Sequence, residues 1–253
     1  MAKTVLFIFE GEKTENQVHE IFERHYFSDK HVSIKIAFGA EIYQLWRQMT
    51  SEDFLDVLEV LKERRLANQE EVAALRRDDI SEIYLFFDYD GHTSTASDAD
   101  LLRMLEYFNE ETEAGKLYIS YPMAEAVRHI NMVDDYLDTV FDISDGKRYK
   151  ELVNEKTGFM HLAKLEKGEL DYVVAQNCKK ANYIVHDDRA FPEYQIVINR
   201  LSQVNIFNAQ LEKHISKAGQ VSVLSGFPLF TIEYFGEAAL AALHEAIEVQ
   251  PLR

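Results

Sequence analysis

The sequence predicts an α/β fold in which a mostly parallel sheet is flanked by helices, and three observations support this prediction. Compact β-branched and aromatic runs alternate with helical periodicity four times in the first half of the chain. The second half is mainly helical. Hydrophobic residues make up 47% of the 253 residues, which suits a sizeable core. We therefore expect an α/β domain over residues 1–132 and a mainly helical C-terminal extension, residues 133–253, packed on it.

Four short apolar runs are predicted to form the strands of this sheet, because they are rich in β-branched and aromatic residues. They are residues 4–9 (TVLFIF), 31–38 (HVSIKIAF), 83–87 (IYLFF) and 116–120 (KLYIS). In parallel sheets flanked by helices, ligands bind outside the carboxyl ends of the strands. Glu10, Asp88 and Ser120 all follow or end a predicted strand, so they are expected to converge at that edge.

Helical periodicity fills the connections between these strands. A helix is predicted after the first strand with Thr14 as its N-cap, and a later one is predicted to start at Ser51 and run to residue 65. Further helices are predicted over residues 41–49, 68–77, 96–113, 193–217 and 237–248, with a last strand over residues 220–224.

Charge and composition restrict the function. The net charge of −17, from 27 Lys+Arg against 44 Asp+Glu, argues against broad charge-driven binding to a polyanion. If the protein handles nucleic acid, divalent metal or a basic partner has to supply positive charge. The single cysteine, Cys178, excludes an internal disulfide and fits a reducing compartment. No stretch approaches the ~20 apolar residues that span a bilayer, so we expect a cytoplasmic protein without membrane association.

Two acidic motifs follow the strongest strands. Glu10 precedes Gly11, and Asp88 and Asp90 lie two residues apart, so that their side chains point in similar directions on an extended backbone. Crowded carboxylates repel each other and are stable in the ionised form only when a cation neutralises them. Hard oxygen ligands without nearby Cys or His favour Mg²⁺ or Mn²⁺. A two-metal site of this kind could support phosphodiester cleavage, with Glu10, Asp88 and Asp90 as catalytic and metal-binding residues.

The two motifs in this order carry a family resemblance. FIFEG, with Glu10, and LFFDYD, with Asp88 and Asp90, resemble the TOPRIM fold, the catalytic domain of topoisomerases, primases and several nucleases. The run EGEKTE is similar to the RloB-type and OLD-type TOPRIM nucleases of prokaryotic phage-defence systems. The resemblance covers residues 3–130. It implies a Rossmann-like TOPRIM domain and a metal-dependent nuclease that hydrolyses DNA or RNA.

The same resemblance implies further residues and a partner. Glu15 would join the metal site, and Glu125, in a stretch that looks like the family's proline–glutamate run, would be another ligand. A family lysine assists near the departing phosphate, and Lys180 is the candidate for this role. OLD-type systems place an ATPase beside the nuclease. Since this sequence has no Gly-x-x-x-x-Gly-Lys-Ser/Thr loop, the resemblance implies a separate ATPase subunit. A homo-oligomer is also compatible with the sequence.

Two other functions stay open at the level of sequence. LFFDYDGHT also resembles the start of haloacid-dehalogenase-like phosphatases, with Asp88 as nucleophile, Asp90 as general acid/base and Asp187-Asp188 as a late acid pair. That motif usually opens such domains, however, and Glu10 would then have no role. Alternatively, the acids are structural turns in a non-catalytic regulatory or scaffold subunit, with the helical second half as its docking surface.

Overall fold

The computed structural model describes residues 3–27, 31–51, 55–64, 66, 69–130, 136–156 and 162–249. Its centre is a five-stranded sheet. The strands are β1 (Lys3–Phe9), β2 (His31–Ala37), β3 (Ile80–Asp88), β4 (Asn109–Glu110) and β5 (Gly115–Ser120). Their order is β2-β1-β3-β5-β4, and every neighbouring pair is parallel except β4 with β5. The four predicted strands are therefore confirmed, and β4 is a short antiparallel edge that sequence did not predict.

Helices surround the sheet and dominate the second half. The α-helices are α1 (Thr14–Tyr26), α2 (Ile42–Ser51), α3 (Val57–Glu63), α4 (Gln69–Ala74), α5 (Asp98–Tyr107), α6 (Tyr149–Lys156), α7 (Lys167–His186), α8 (Tyr194–Arg200), α9 (Gln203–Gln210), α10 (Ser216–Ala218), α11 (Gly226–Phe235) and α12 (Glu237–Val249). Short 3-10 helices span Arg77–Asp79, Ala124–Arg128, Tyr136–Asp138, Ile143–Arg148 and Leu162–Lys164. Two further strands, β6 (Val140–Asp142) and β7 (Gln220–Ser222), form a separate antiparallel pair. Among the described residues, no helix is both long and apolar enough to cross a membrane.

The aromatic face of the sheet is covered by α11, far along the chain. Phe227 stacks on Phe86 of β3 with 4.1 Å between ring centroids, and Phe230 contacts both Phe7 of β1 and Phe86. Because β1 and β3 are buried on both faces, their sequences are nearly continuous apolar runs. The C-terminal part therefore contributes to the same hydrophobic core as the sheet. The predicted boundary at residue 132 stays a prediction, since residues 131–135 lie outside the described part.

Two predicted helix starts are wrong. Thr14 is already helical, Lys13 occupies the N-cap position, and the Thr14 hydroxyl is used in a long-range contact described below. Ser51 ends α2 instead of starting a helix, and α3 is capped by Asp56, whose carboxylate accepts a hydrogen bond from the Leu58 N–H at 2.8 Å. Several polar residues in each region can cap a helix, and spacing alone did not identify the one that does.

Two predicted helices are too long. The segment 193–217 breaks after Leu201, because the Ser202 hydroxyl accepts from the Asn205 N–H and starts α9 as a new helix. It then passes through a π-helix, Leu211–Ile215, into α10. The segment 96–113 ends its helix at Tyr107, and the chain turns back to form β4. Apolar spacing continues across both breaks, so periodicity could not locate them.

Candidate active site

Glu10 and Asp88 meet at the carboxyl ends of β1 and β3. The Glu10 N–H donates to the Phe86 carbonyl at 3.1 Å, and the Glu10 carboxyl oxygen Oε2 accepts from the Asp88 N–H at 3.1 Å. These contacts follow from the parallel pairing of the two strands, which brings their ends to the same edge. The start and the middle of the chain therefore share one site, as the strand order along the sequence predicted.

The Asp88 carboxyl is held in place by the backbone. Its Oδ1 accepts from the Ala124 N–H at 2.8 Å, at the start of the 3-10 helix that follows β5. Burial raises the pKa of Asp88 well above its ordinary value, and the charges of Glu10, Glu15 and Glu125 add to this rise. The side chain is therefore fixed by backbone and surrounded by groups of its own sign.

Glu10 and Asp90 are neighbouring carboxyl groups whose charges interact. Burial and the nearby charge of Asp90 raise the pKa of Glu10 to about 8, although the hydrogen bond from the Asp88 N–H opposes the rise. Like charges this close together favour the protonated form. Burial also raises the pKa of Asp90, against the opposing charge of His92, whose Nδ1 lies 3.9 Å from Asp90 Oδ1.

Glu15 and Glu125 complete the cluster from α1 and from the segment after β5. Glu15 Oε1 accepts from the Gly11 N–H at 3.0 Å, and a side chain at Gly11 would press on that carboxylate, since its Cβ would lie 3.2 Å from both oxygens. Burial raises the pKa of Glu15. Glu125 Oε1 accepts from the Thr14 hydroxyl at 2.9 Å. The other oxygen, Glu125 Oε2, is buried and accepts no hydrogen bond from the described residues.

Two functional candidates were missed by sequence reasoning. Lys150, the second residue of α6, lies 3.3 Å from Glu125 Oε1, and attraction to Glu125 raises the pKa of Lys150 despite the opposing effect of burial. Glu41 lies just after β2, and its charge raises the pKa of both Glu10 and Asp90. The position of Glu41 beyond a strand's carboxyl end could have identified it, whereas no local pattern marks Lys150.

Lys180 was predicted near the departing phosphate, but its described contacts are elsewhere. This lysine is fully buried on α7, and its ammonium donates to three backbone carbonyls at 2.6–3.0 Å. The three carbonyl oxygens belong to Tyr136, Leu137 and Thr139. These contacts bind the Lys180 ammonium to the backbone around the 3-10 helix Tyr136–Asp138. The role of Lys180 near a departing phosphate stays a prediction.

The donor set fits a hard divalent cation, although it is not arranged as a finished metal site. Among the described residues, no group of three or more His, Cys, Asp or Glu side chains stands ready to hold a metal ion. The carboxyls of Glu10, Glu15 and Asp88 are instead held by backbone N–H groups. The buried, unpartnered oxygen of Glu125 and the raised pKa values of its neighbours mark a site that lacks positive charge. Carboxylate oxygens are the ligands that Mg²⁺ and Mn²⁺ prefer, so a divalent cation could supply it.

The phosphatase alternative finds less support in this geometry. A nucleophilic Asp88 needs a carboxyl free to attack its substrate, but Asp88 Oδ1 accepts a hydrogen bond from the Ala124 N–H at 2.8 Å. The proposed late acid pair has other described contacts: Asp187 pairs with Lys213 at 2.8 Å, and Asp188 accepts from the Ala190 N–H. These two aspartates form the polar turn that ends α7.

Comparisons with known proteins do not assign a family. Protein-family models, curated proteins and solved structures were each compared with the chain, and none matches. The resemblance to TOPRIM nucleases therefore depends on the two strand motifs and on the geometry of the acids they carry.

Proposed function

We propose that this chain is a metal-dependent nuclease of the TOPRIM type that hydrolyses phosphodiester bonds in DNA or RNA. One observation carries the proposal: five carboxyl groups from three distant segments converge at the carboxyl ends of β1, β3 and β5 with few cations among them. These carboxyls belong to Glu10, Glu15, Asp88, Asp90 and Glu125. A structural role alone gives no reason to bury so many like charges together, since each raises the cost of ionising the others.

The chain's own groups divide the chemical roles. Glu10, Glu15, Asp88, Asp90 and Glu125 would hold Mg²⁺ or Mn²⁺, which when bound supplies positive charge against the phosphodiester and promotes ionisation of water. Backbone N–H groups orient the carboxyls of Glu10 and Asp88 before any substrate arrives. Lys150 is 60% exposed at the rim of the cluster, where its ammonium can pair with a phosphate oxygen.

A matched pair of glutamine variants tests this function. We expect Glu10→Gln to lower metal-dependent cleavage at least ~1,000-fold, because residues that act as a unit lose most of their effect together. Glu12→Gln removes an exposed carboxylate two residues away and should leave cleavage unchanged. The measurement is cleavage of plasmid, single-stranded DNA and tRNA in Mg²⁺ or Mn²⁺.

Two other results would favour the alternatives. Phosphatase activity on p-nitrophenyl phosphate that survives Glu10→Gln supports the haloacid-dehalogenase-like mechanism. If the wild-type protein binds no Mn²⁺ and cleaves none of the three nucleic acids, the non-catalytic subunit is the better description. A Mn²⁺ ion located between Glu10, Asp88 and Asp90 by anomalous diffraction would count against that description.

The biological setting follows from the resemblance alone. We place the protein in the cytoplasm as an effector of a prokaryotic anti-phage system, working with a separate ATPase subunit. The absence of a P-loop from the sequence supports a separate ATPase, because phosphate binding by that route needs its glycines and lysine. Co-purification of an ATPase with the tagged protein from its native host tests the assignment.

A further inference from the structure

A cavity of about 980 Å³ is lined by His92, whose Nδ1 lies 3.9 Å from Asp90 of the acid cluster. One wall is the turn that follows Asp90, including Gly91 and His92, and the opposite wall comes from the C-terminal part, including Arg148 and Ala218. Its volume is at the upper end of the range for small-molecule sites, so it has room for a nucleoside but not for a duplex. The proposed nuclease chemistry does not use this cavity.

One glycine lets the two walls approach each other closely. A Cβ on Gly146 would lie 2.8 Å from the His92 ring, a distance that is impossible for a real side chain without movement. Gly146 therefore seats the C-terminal wall against His92, whose Nδ1 lies 3.9 Å from Asp90 Oδ1. The His92 ring links the cavity to the acid cluster.

The chemistry of the walls favours a base over a phosphate. Three carboxylates line the cavity, on Asp98, Asp142 and Asp145, with Arg148 as the cation. Carboxylates repel phosphate groups but accept hydrogen bonds from the exocyclic amino groups of cytosine, adenine and guanine. Thymine and uracil carry no such group.

We propose that this cavity binds the nucleoside next to the scissile phosphate of a single-stranded nucleic acid, and that it favours bases with an exocyclic amino group. This inference rests on the proposed nuclease function and names its substrate class. The strand would run from the acid cluster past His92, with one base turned into the cavity between the two walls.

A pair of tryptophan variants tests whether the cavity is used. Ala218 lines the cavity and is exposed at the end of α10, whereas Ala241 is an equally exposed alanine on α12 that lines a different groove. Both are studied in the Glu10→Gln background with Mn²⁺, so that the labelled oligonucleotide stays intact. Fluorescence anisotropy measures the affinity for short oligo(dC), oligo(dA) and oligo(dT).

We expect Ala218→Trp to weaken oligo(dC) binding about tenfold or more, the scale of one lost base contact, while Ala241→Trp leaves it unchanged. The Glu10→Gln protein with Ala218 and Ala241 intact should bind oligo(dC) and oligo(dA) several-fold more tightly than oligo(dT). The double variant Asp142→Asn/Asp145→Asn should reduce this preference, since an amide can donate as well as accept.

Three results would overturn the inference: unchanged affinity in Ala218→Trp, an equal loss in Ala241→Trp, or equal binding of the three homopolymers. Failure to bind any oligonucleotide would also overturn it. The proposed function is judged separately, by the loss of plasmid, DNA or tRNA cleavage in Glu10→Gln with Ala218 intact. The experiments can therefore reject nucleoside binding in the cavity while supporting nuclease activity, or reject nuclease activity while supporting nucleoside binding.

Discussion

Two regions of this molecule bury charge in opposite ways. Lys180 on α7 is fully buried, and its ammonium is surrounded by three carbonyl oxygens, whose partial negative charge matches it. Asp88 at the end of β3 is only partly buried, but its neighbours include the like charges of Glu10 and Glu15. The first arrangement offsets its charge with oxygen acceptors, whereas the second needs protons or a cation. The difference separates a charge that the fold itself neutralises from charges that it does not.

The largest expected effect concerns the buried ammonium of Lys180. Lys180→Met leaves three buried carbonyls without their donor, so we expect a loss of about 3 kcal/mol in the free energy of unfolding. That loss corresponds to a melting temperature lower by roughly 9 °C. Thermal and urea unfolding measure it, and Lys179→Met, one residue earlier on α7, is the control. Normal stability combined with lost cleavage would instead support the catalytic role that the resemblance assigned to Lys180.

A smaller effect concerns the raised pKa of Glu10 in the acid cluster. The pKa of Glu10 is about 8 in the folded chain and 4.5 ordinarily. Between these values the folded state keeps a proton that the unfolded state has lost. The stabilisation is therefore complete below about pH 4.5 and disappears as the pH rises through about 8. Without metal, we expect urea unfolding to show a loss of about 2 kcal/mol between pH 6 and pH 8.5.

The control for this pH dependence is Glu10→Gln. Glu10→Gln cannot ionise, so its stability should change less with pH over the same interval. Saturating Mn²⁺ should also oppose the loss in the wild-type protein, because a ligand that binds only the folded state stabilises it. A wild-type profile as flat as that of the variant would mean that Glu10 keeps an ordinary pKa.

The smallest effect concerns the exposed cation of the cluster. Lys150→Gln should lower the rate of cleavage roughly tenfold, which is the scale of one charge-assisted contact to phosphate. It should leave stability nearly unchanged, because exposed ion pairs contribute little. Lys62→Gln, which breaks a lysine pair with Glu59 on α3, is the matched control for activity. Equal rates in both variants would remove Lys150 from the proposed site.

Much of the sheet could be predicted from sequence, because strands buried on both faces read as continuous apolar runs. The meeting of Glu10 with Asp88 followed from the rule that parallel strands end at one edge. Lys150 could not be predicted, since α6 reaches the site only through the packing of the C-terminal part. The depth of Lys180 was equally hidden, because a helix with several polar residues does not reveal which of them faces inward. The helix break at Ser202 was not predicted, because apolar spacing continues across it.

The stacking of Phe227 on Phe86 also has a consequence for biosynthesis. Translation delivers β1 and β3 long before α11, so nascent chains display an aromatic face that their final cover has not yet reached. Such an exposed apolar surface promotes aggregation, and chaperones can shield it. The sheet edge that carries Glu10 and Asp88 is therefore completed only after α11 has been synthesised.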